Sequence, residues 1–211
     1  MLITKVEVQK NHKNYFNLYT GDDVYLFSIT EETLLNFNIA KNKDFNDEEL
    51  ESIQKYDQKM RCVYQAYRFL SRRPHLKEEL RRKLSVKGYL STVIDDSLHF
   101  IEKKKYLDDA GFIKMFINDQ INLKKNGPLI IKKKLLEKGA RADQIDPALE
   151  SAYSEDLQIK NADYLFKNKI KSLHEQDALK LRNKLYRFLQ QKGFNWPVIE
   201  KVFAENFGQP E

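Results

Sequence analysis

Cysteine is nearly absent from this chain. Cys62 stands alone among 211 residues, so no disulfide can close within the chain and nothing asks for an oxidising compartment. Glycine (7) and proline (5) are also scarce, which leaves room for long uninterrupted helices. No apolar run approaches the roughly 20 residues that a membrane helix needs. The N-terminal MLITKVEVQKNHKNYF scatters charges through its length and does not read as a secretory leader. The expectation is a cytosolic protein. Phosphate-binding loops of the GxxxxGK[ST] or GxGxxG kind do not occur, nor does a nucleophile elbow. His12, His75, His99 and His174 lie far apart, none at metal-binding spacing with another ligand type. Each reads as a surface or packing histidine. Cys62 reads as inert helix packing. The sequence thus asks for no cofactor and points away from an enzyme.

What is present is charge, unevenly placed. Residues 1–59 carry 7 Lys+Arg against 11 Asp+Glu, residues 60–140 carry 19 against 9, and residues 141–211 carry 11 against 11. The surplus of the +6 chain therefore sits in its middle third. Such a field attracts phosphate backbones or an acidic protein face. A solvated helical surface is the plainer reading of the same residues.

Residues 1–29 read as strands. ITKVEV, NYFNLY and VYLFSI are β-branched and aromatic, and the turn-like KNHKN and TGDD separate them. A meander this small must lean on a neighbouring helix. Thr30 starts a short helix, 40–44 is a linker, and Asn46 with Glu49 forms a capping box for the next helix. Beyond it the periodicity is helical throughout.

Three segments fall into one register when set on their glycines. They are Leu80-x3-Leu84-x2-Lys87-Gly88, Ile131-x3-Leu135-x2-Lys138-Gly139 and Leu185-x3-Leu189-x2-Lys192-Gly193. In each, Ile stands six residues past Gly (Ile94, Ile145, Ile199) and a large apolar residue ten past it (Leu98, Leu149, Phe203). Apolar residues four apart make a buried helical stripe. Lys suits the negative helix end, and Gly takes the left-handed conformation that closes the helix. Ser91, Asp143 and Asn195 are the candidate caps of the following helices. Further helices over 57–72, 108–124 and 154–172 precede the hairpins. Any one motif is common in a Leu- and Lys-rich chain; agreement in three copies makes a repeat of about 50 residues the better reading.

The expected fold is therefore mainly α: three tandem three-helix repeats in an elongated array, with a small N-terminal antiparallel β meander. The expected divisions are 1–45 for the β-rich extension and 46–106, 107–153 and 154–211 for the repeats.

Asp108-Asp109 is the most metal-like element. Its place ahead of Phe112, Ile113, Phe116 and Ile117 favours Asp108 as an N-cap, with Leu107 stapling onto Phe112 or its neighbour. The basic clusters are the better binding candidates: Arg68, Arg72 and Arg73 on one helix with Arg61, Tyr64 and Tyr67, then Arg81, Arg82 and Lys83, then Lys124 and Lys125, then Lys132, Lys133 and Lys134. Lys103-Lys104-Lys105 adds to the surplus. Arg beside aromatic rings can meet phosphates and stack on bases.

Two stretches resemble the RecX family, regulators of the bacterial RecA recombinase. One is Phe69-Leu70-Ser71-Arg72-Arg73-Pro74-His75-x3-Glu79-Leu80-x3-Leu84-x3-Gly88. The other is Tyr106-Leu107-Asp108-Asp109-x2-Phe112, continuing to Gly127-Pro128-x2-Ile131-x3-Leu135-x3-Gly139. The match covers roughly 60–150, more loosely 154–207, and residues 1–45 do not contribute to it. Leu76 stands where the family usually has Ser or Thr, so a capping hydroxyl is missing there. Gly111, Leu129 and Ile130 replace residues that are often basic. The resemblance implies tandem three-helix repeats and modulation of RecA: a monomer lying in the groove of the RecA filament, meeting single-stranded DNA directly or within that filament, and limiting its growth, ATP hydrolysis and strand exchange. A helical nucleic-acid-binding protein without a recombinase partner is the rival reading.

Overall fold

A computed structural model of the chain describes residues 1–173 and 175–208. His174 lies outside them. The described residues form two compact units, Met1–Leu107 and Asp108 onward.

The first unit opens with strands β1 (Ile3–Val8), β2 (Tyr15–Thr20) and β3 (Val24–Thr30) in an antiparallel sheet of order β1-β2-β3. Val6 faces Leu18 and Leu18 faces Phe27 across the ladders. Helix α1 (Glu31–Asn36) starts where Thr30 accepts the Thr33 N–H. Helix α2 (Asp47–Leu70) starts on the Asn46–Glu49 capping box, both of whose bonds measure 2.8 Å.

At 24 residues, α2 belongs to two cores at once. Its first half supplies Leu50 and Ile53 to a cluster with Ile3, Leu18, Ile29, Ile39 and Phe45. Its second half supplies Met60, Val63 and Ala66 to a cluster with Leu80, Leu84, Ile94, Leu98 and Ile101. The meander does lean on a helix, and on the first helix of the first repeat. That repeat continues with α3 (Lys77–Val86) and α4 (Ser91–Lys103).

The second unit holds α5 (Asp109–Asn122), α6 (Pro128–Lys138), α7 (Ala142–Ala152), α8 (Glu155–Lys171), α9 (Ala178–Gln191) and α10 (Trp196–Phe207). In each repeat the first helix packs on the third: α2 on α4, α5 on α7, α8 on α10. In the last of these, Phe166 meets Phe203 edge to face at 5.4 Å.

The three repeat glycines all take positive φ, 88° at Gly88, 96° at Gly139 and 87° at Gly193, as the helix-closing role requires. The caps are a different matter. In every copy the N-cap falls two residues past the glycine, at Leu90, Arg141 and Asn195. Only Asn195 caps with its side chain, accepting the Val198 N–H at 3.2 Å. Ser91 is already inside its helix, and Asp143 is turned back on the Arg141 guanidinium at 2.9 Å. The turn geometry fixes the cap position whatever residue occupies it. At α3 the N-cap is Leu76, fully buried and with no side-chain bond. Asp108 does cap α5, through the Gly111 N–H at 2.8 Å. Leu107 packs against the first repeat's core.

Candidate partner-binding surface

The eleven basic candidates divide by what they touch. Arg72 and Arg73 do not share the helix of Arg68: α2 ends at Leu70, and both lie in the turn ahead of Pro74, which biases the residue before it away from helix. Arg73 is held by the Glu79 carboxylate and by the Pro74 carbonyl at 3.0 Å, and that carboxylate raises its already high pKa. Glu79 thus completes an ion pair. Arg81 lies between Glu78, at 3.2 Å, and Asp95. Lys83 stands over the Phe69 ring at 5.2 Å. Lys132 meets Asp146 at 2.6 Å, Lys133 is 4.0 Å from Glu137, and Lys134 donates to the Gln120 amide oxygen at 3.1 Å. Arg82 is exposed on α3. Arg68, Arg72, Lys124 and Lys125 make no ion pair among the described residues, and the last two sit in the turn after α5.

Arg68 has company that the linear clusters do not reveal. Arg61, Tyr64 and Arg68 recur at helical spacing on one face of α2. Opposite them stands the β1–β2 turn, and the two enclose a groove of about 650 Å³. Asn11, His12, Lys13 and Tyr15 line it from the turn side. The turn is pinned by its own Tyr15 N–H to His12 carbonyl bond at 2.9 Å and by the Glu31 N–H, which donates to the Asn14 carbonyl at 3.0 Å.

Arg61 holds the groove's floor. It donates to Asp57 at 2.5 Å and to the Ser28 carbonyl at 2.7 Å, and its guanidinium lies 4.9 Å from the Tyr15 ring centre. Asp57, nearly buried, also accepts the Thr30 N–H at 2.6 Å and the Thr33 hydroxyl at 3.0 Å. One carboxylate therefore ties β3, the start of α1 and α2 together. Burial is the main cause that pushes the Tyr64 hydroxyl's pKa up, with Glu32 adding to it. Among the described residues no carboxylate lines the groove itself, and Glu32 and Glu31 act on Tyr64 from outside that lining.

Two parts of this groove carry only weak signals in the sequence. The KNHKN turn reads as a connection, although its His and Lys flank an aromatic strand start. Asp57 stands four residues before Arg61, the spacing of a helical ion pair, in a run of other charged residues. Cys62 is fully buried, and burial pushes its thiol pKa up, consistent with packing. His75 is also buried, packed on Phe69. Among the described residues no three His, Cys, Asp or Glu side chains gather to hold a metal ion, and no helix is long and apolar enough to cross a membrane.

Comparison with known proteins adds the family. The chain is 33% identical over 205 residues to "Regulatory protein RecX" of Clostridium botulinum (strain Eklund 17B / Type B), covering 96% of this chain and 95% of that one. The chain belongs to the RecX family. A RecX of Clostridium beijerinckii is 34% identical over 209 residues, covering 96% of this chain and 94% of its own. Family models match at 1–46 (regulatory protein RecX N-terminal domain), 62–100 (RecX, first three-helix domain) and 156–203 (RecX, third three-helix domain). Residues 1–45, expected to lie outside the resemblance, fall within the match to the RecX N-terminal domain, which corrects that expectation. A crystal structure of regulatory protein RecX superposes with TM-score 0.78 at 24% identity, over 95% of this chain and 98% of that one. RecX from Lactobacillus salivarius gives 0.64 at 19% identity, over 71% of this chain and 97% of its own. These two show the shared fold.

Proposed function

We propose that this chain regulates the RecA recombinase by binding the RecA filament on single-stranded DNA, as a monomer in the cytosol, and limiting filament growth, ATP hydrolysis and strand exchange. The observation that carries the reading is the match to RecX regulatory proteins along nearly the whole of both chains. The ATP hydrolysed belongs to RecA; this chain works by binding, without catalysis of its own. Its repeats, divided at 46–106, 107–153 and 154–211 after the 1–45 extension, offer similar helical faces to a partner that itself repeats. Weak contacts on linked units add through effective concentration. Basic side chains that make no ion pair among the described residues, Arg68, Arg72, Lys124 and Lys125 foremost, suit a salt-sensitive attraction to phosphates or acidic protomer faces.

The test is RecA ATPase on single-stranded DNA with a cognate RecA. Addition of this protein lowers the rate, and no change at excess overturns the reading. Binding of DNA with no effect on RecA would favour a plain nucleic-acid-binding role. Reversing Arg68, Arg72, Lys124 and Lys125 to Glu weakens filament binding and flattens its salt dependence.

A further inference from the structure

The groove between the β1–β2 turn and α2 has the composition of a site for single-stranded nucleic acid. Its two exposed cations, Lys13 and Arg68, come from opposite walls. Neither makes an ion pair among the described residues, so both are available to phosphate. The same groove is lined by the half-buried rings of Tyr15 and Tyr64 and by the exposed His12, which meets Tyr15 edge to face at 5.9 Å. Asn11 and Asn14 add amide groups that can pair with base edges. Cations that track a backbone, interleaved with rings on which bases stack, are what sequence-tolerant single-strand binders share. The walls are fixed in advance by the Asp57–Arg61–Ser28 bonds and the Glu31–Asn14 bond, so little ordering is needed on binding.

We propose that this groove binds a single strand of DNA directly, Lys13 and Arg68 holding successive phosphates and Tyr64 with His12 stacking on bases. The proposal rests on the filament reading for the source of the strand, but not for its chemistry. An acidic protein segment would use the two cations and leave the rings without a role, so the aromatic lining favours nucleic acid. Arg61, committed to Asp57 and Ser28, holds the wall instead of contacting the strand.

The experiment titrates the full-length protein, without RecA, into a fluorescein-labelled oligo-dT of 20 nucleotides and follows anisotropy from 50 to 200 mM salt. Wild-type protein binds, with affinity falling as salt rises. The Lys13→Glu/Arg68→Glu double variant binds at least tenfold more weakly, while Lys160→Glu/Lys171→Glu, the same charge change at exposed positions on α8, stays within about twofold of wild type. Tyr64→Ala weakens binding and Tyr64→Phe restores it, with thermal melts confirming that both are folded. Absent binding by wild type, equal losses in the two double variants, or no loss in the groove variant each overturn the proposal. So does a groove variant that loses affinity for RecA without DNA while still binding the oligonucleotide. The RecA ATPase assay separates this from the filament reading. A wild-type protein that binds the oligonucleotide through the groove but leaves RecA unaffected sinks the filament reading and upholds the groove. A groove variant that keeps its grip on the oligonucleotide, alongside ATPase inhibition by wild type, does the reverse.

Discussion

The two compact units hold their parts together by different chemistry. In the first, a nearly buried carboxylate, Asp57, gathers the Thr30 N–H, the Thr33 hydroxyl and the Arg61 guanidinium, joining sheet to helix through side chains. In the second, two repeats meet through backbone. The Gly127 N–H donates to the Lys192 carbonyl at 2.7 Å and the Leu129 N–H to the Gly193 carbonyl at 3.1 Å. A neutral amide supports this unit: Asn161 donates to the Ile121 carbonyl at 3.2 Å and to the Tyr153 hydroxyl at 3.1 Å. There Tyr153 is buried deeply enough to push its pKa up to about 12. The contrast shows that equivalent repeat positions carry unequal loads. Gly88 and Gly193 occupy the same register, yet a Cβ at Gly88 would meet nothing within 4 Å, whereas one at Gly193 would come within 2.5 Å of the Ile130 backbone nitrogen.

The sharpest way to test that inequality is one substitution at both places. Gly193→Ala combines a left-handed backbone cost of about 1–2 kcal/mol with a clash against backbone that cannot swing aside. Its expected destabilisation is roughly 3 kcal/mol or more. Gly88→Ala meets only the conformational cost, about 1–2 kcal/mol. Denaturant unfolding of both variants, with hydrogen exchange to assign the loss to a unit, makes the comparison. Equal losses would mean that the backbone contact at Gly193 contributes nothing.

The next pair compares the side-chain anchors. Asp57→Ala removes the acceptor shared by a guanidinium, an N–H and a hydroxyl, of which only the Thr30 N–H has no second acceptor among the described bonds, and should cost the first unit about 3 kcal/mol. Asn161→Ala leaves a carbonyl and a phenol without a donor and should cost the second about 1–2 kcal/mol. If the order reverses, the charged network is not what fastens the sheet to α2.

How much of this was legible beforehand follows from the range of the interactions involved. The strands, the Thr30 and Asn46 caps and the three glycine turns are set by residues within a few positions of one another, and the sequence shows them directly. Leu90 and Arg141 escaped because the turn, not the side chain, chooses the cap. Among the basic candidates, Arg81 and Lys132 are neutralised by Asp95 and Asp146, each fourteen residues away on the next helix of its hairpin. That pairing depends on the fold and leaves no local pattern. The groove is harder still, since its walls at 11–15 and 61–68 meet only after the sheet docks on α2.

The smallest expected effect separates the units by pH. His75 is buried in the first unit, its ring against Phe69 at 6.2 Å and its Nδ1 2.8 Å from the Arg73 carbonyl. Burial, with the Arg73 and Lys83 charges as lesser causes, lowers its pKa from the usual value near 6.5, outweighing the carbonyl bond and Glu79, which act the other way. The unfolded chain then takes up a proton near pH 6.5 that the folded chain refuses until lower pH. Stability is therefore complete above that value, declines as pH falls toward the folded pKa, and levels off below it. His75→Gln removes the proton uptake. Subtracting its stability–pH curve from that of wild type, between pH 7.5 and 5, should leave a slope of this sign in the exchange-protected amides of the first unit. Parallel curves would show that His75 titrates alike in both states and that its burial has no linkage to folding.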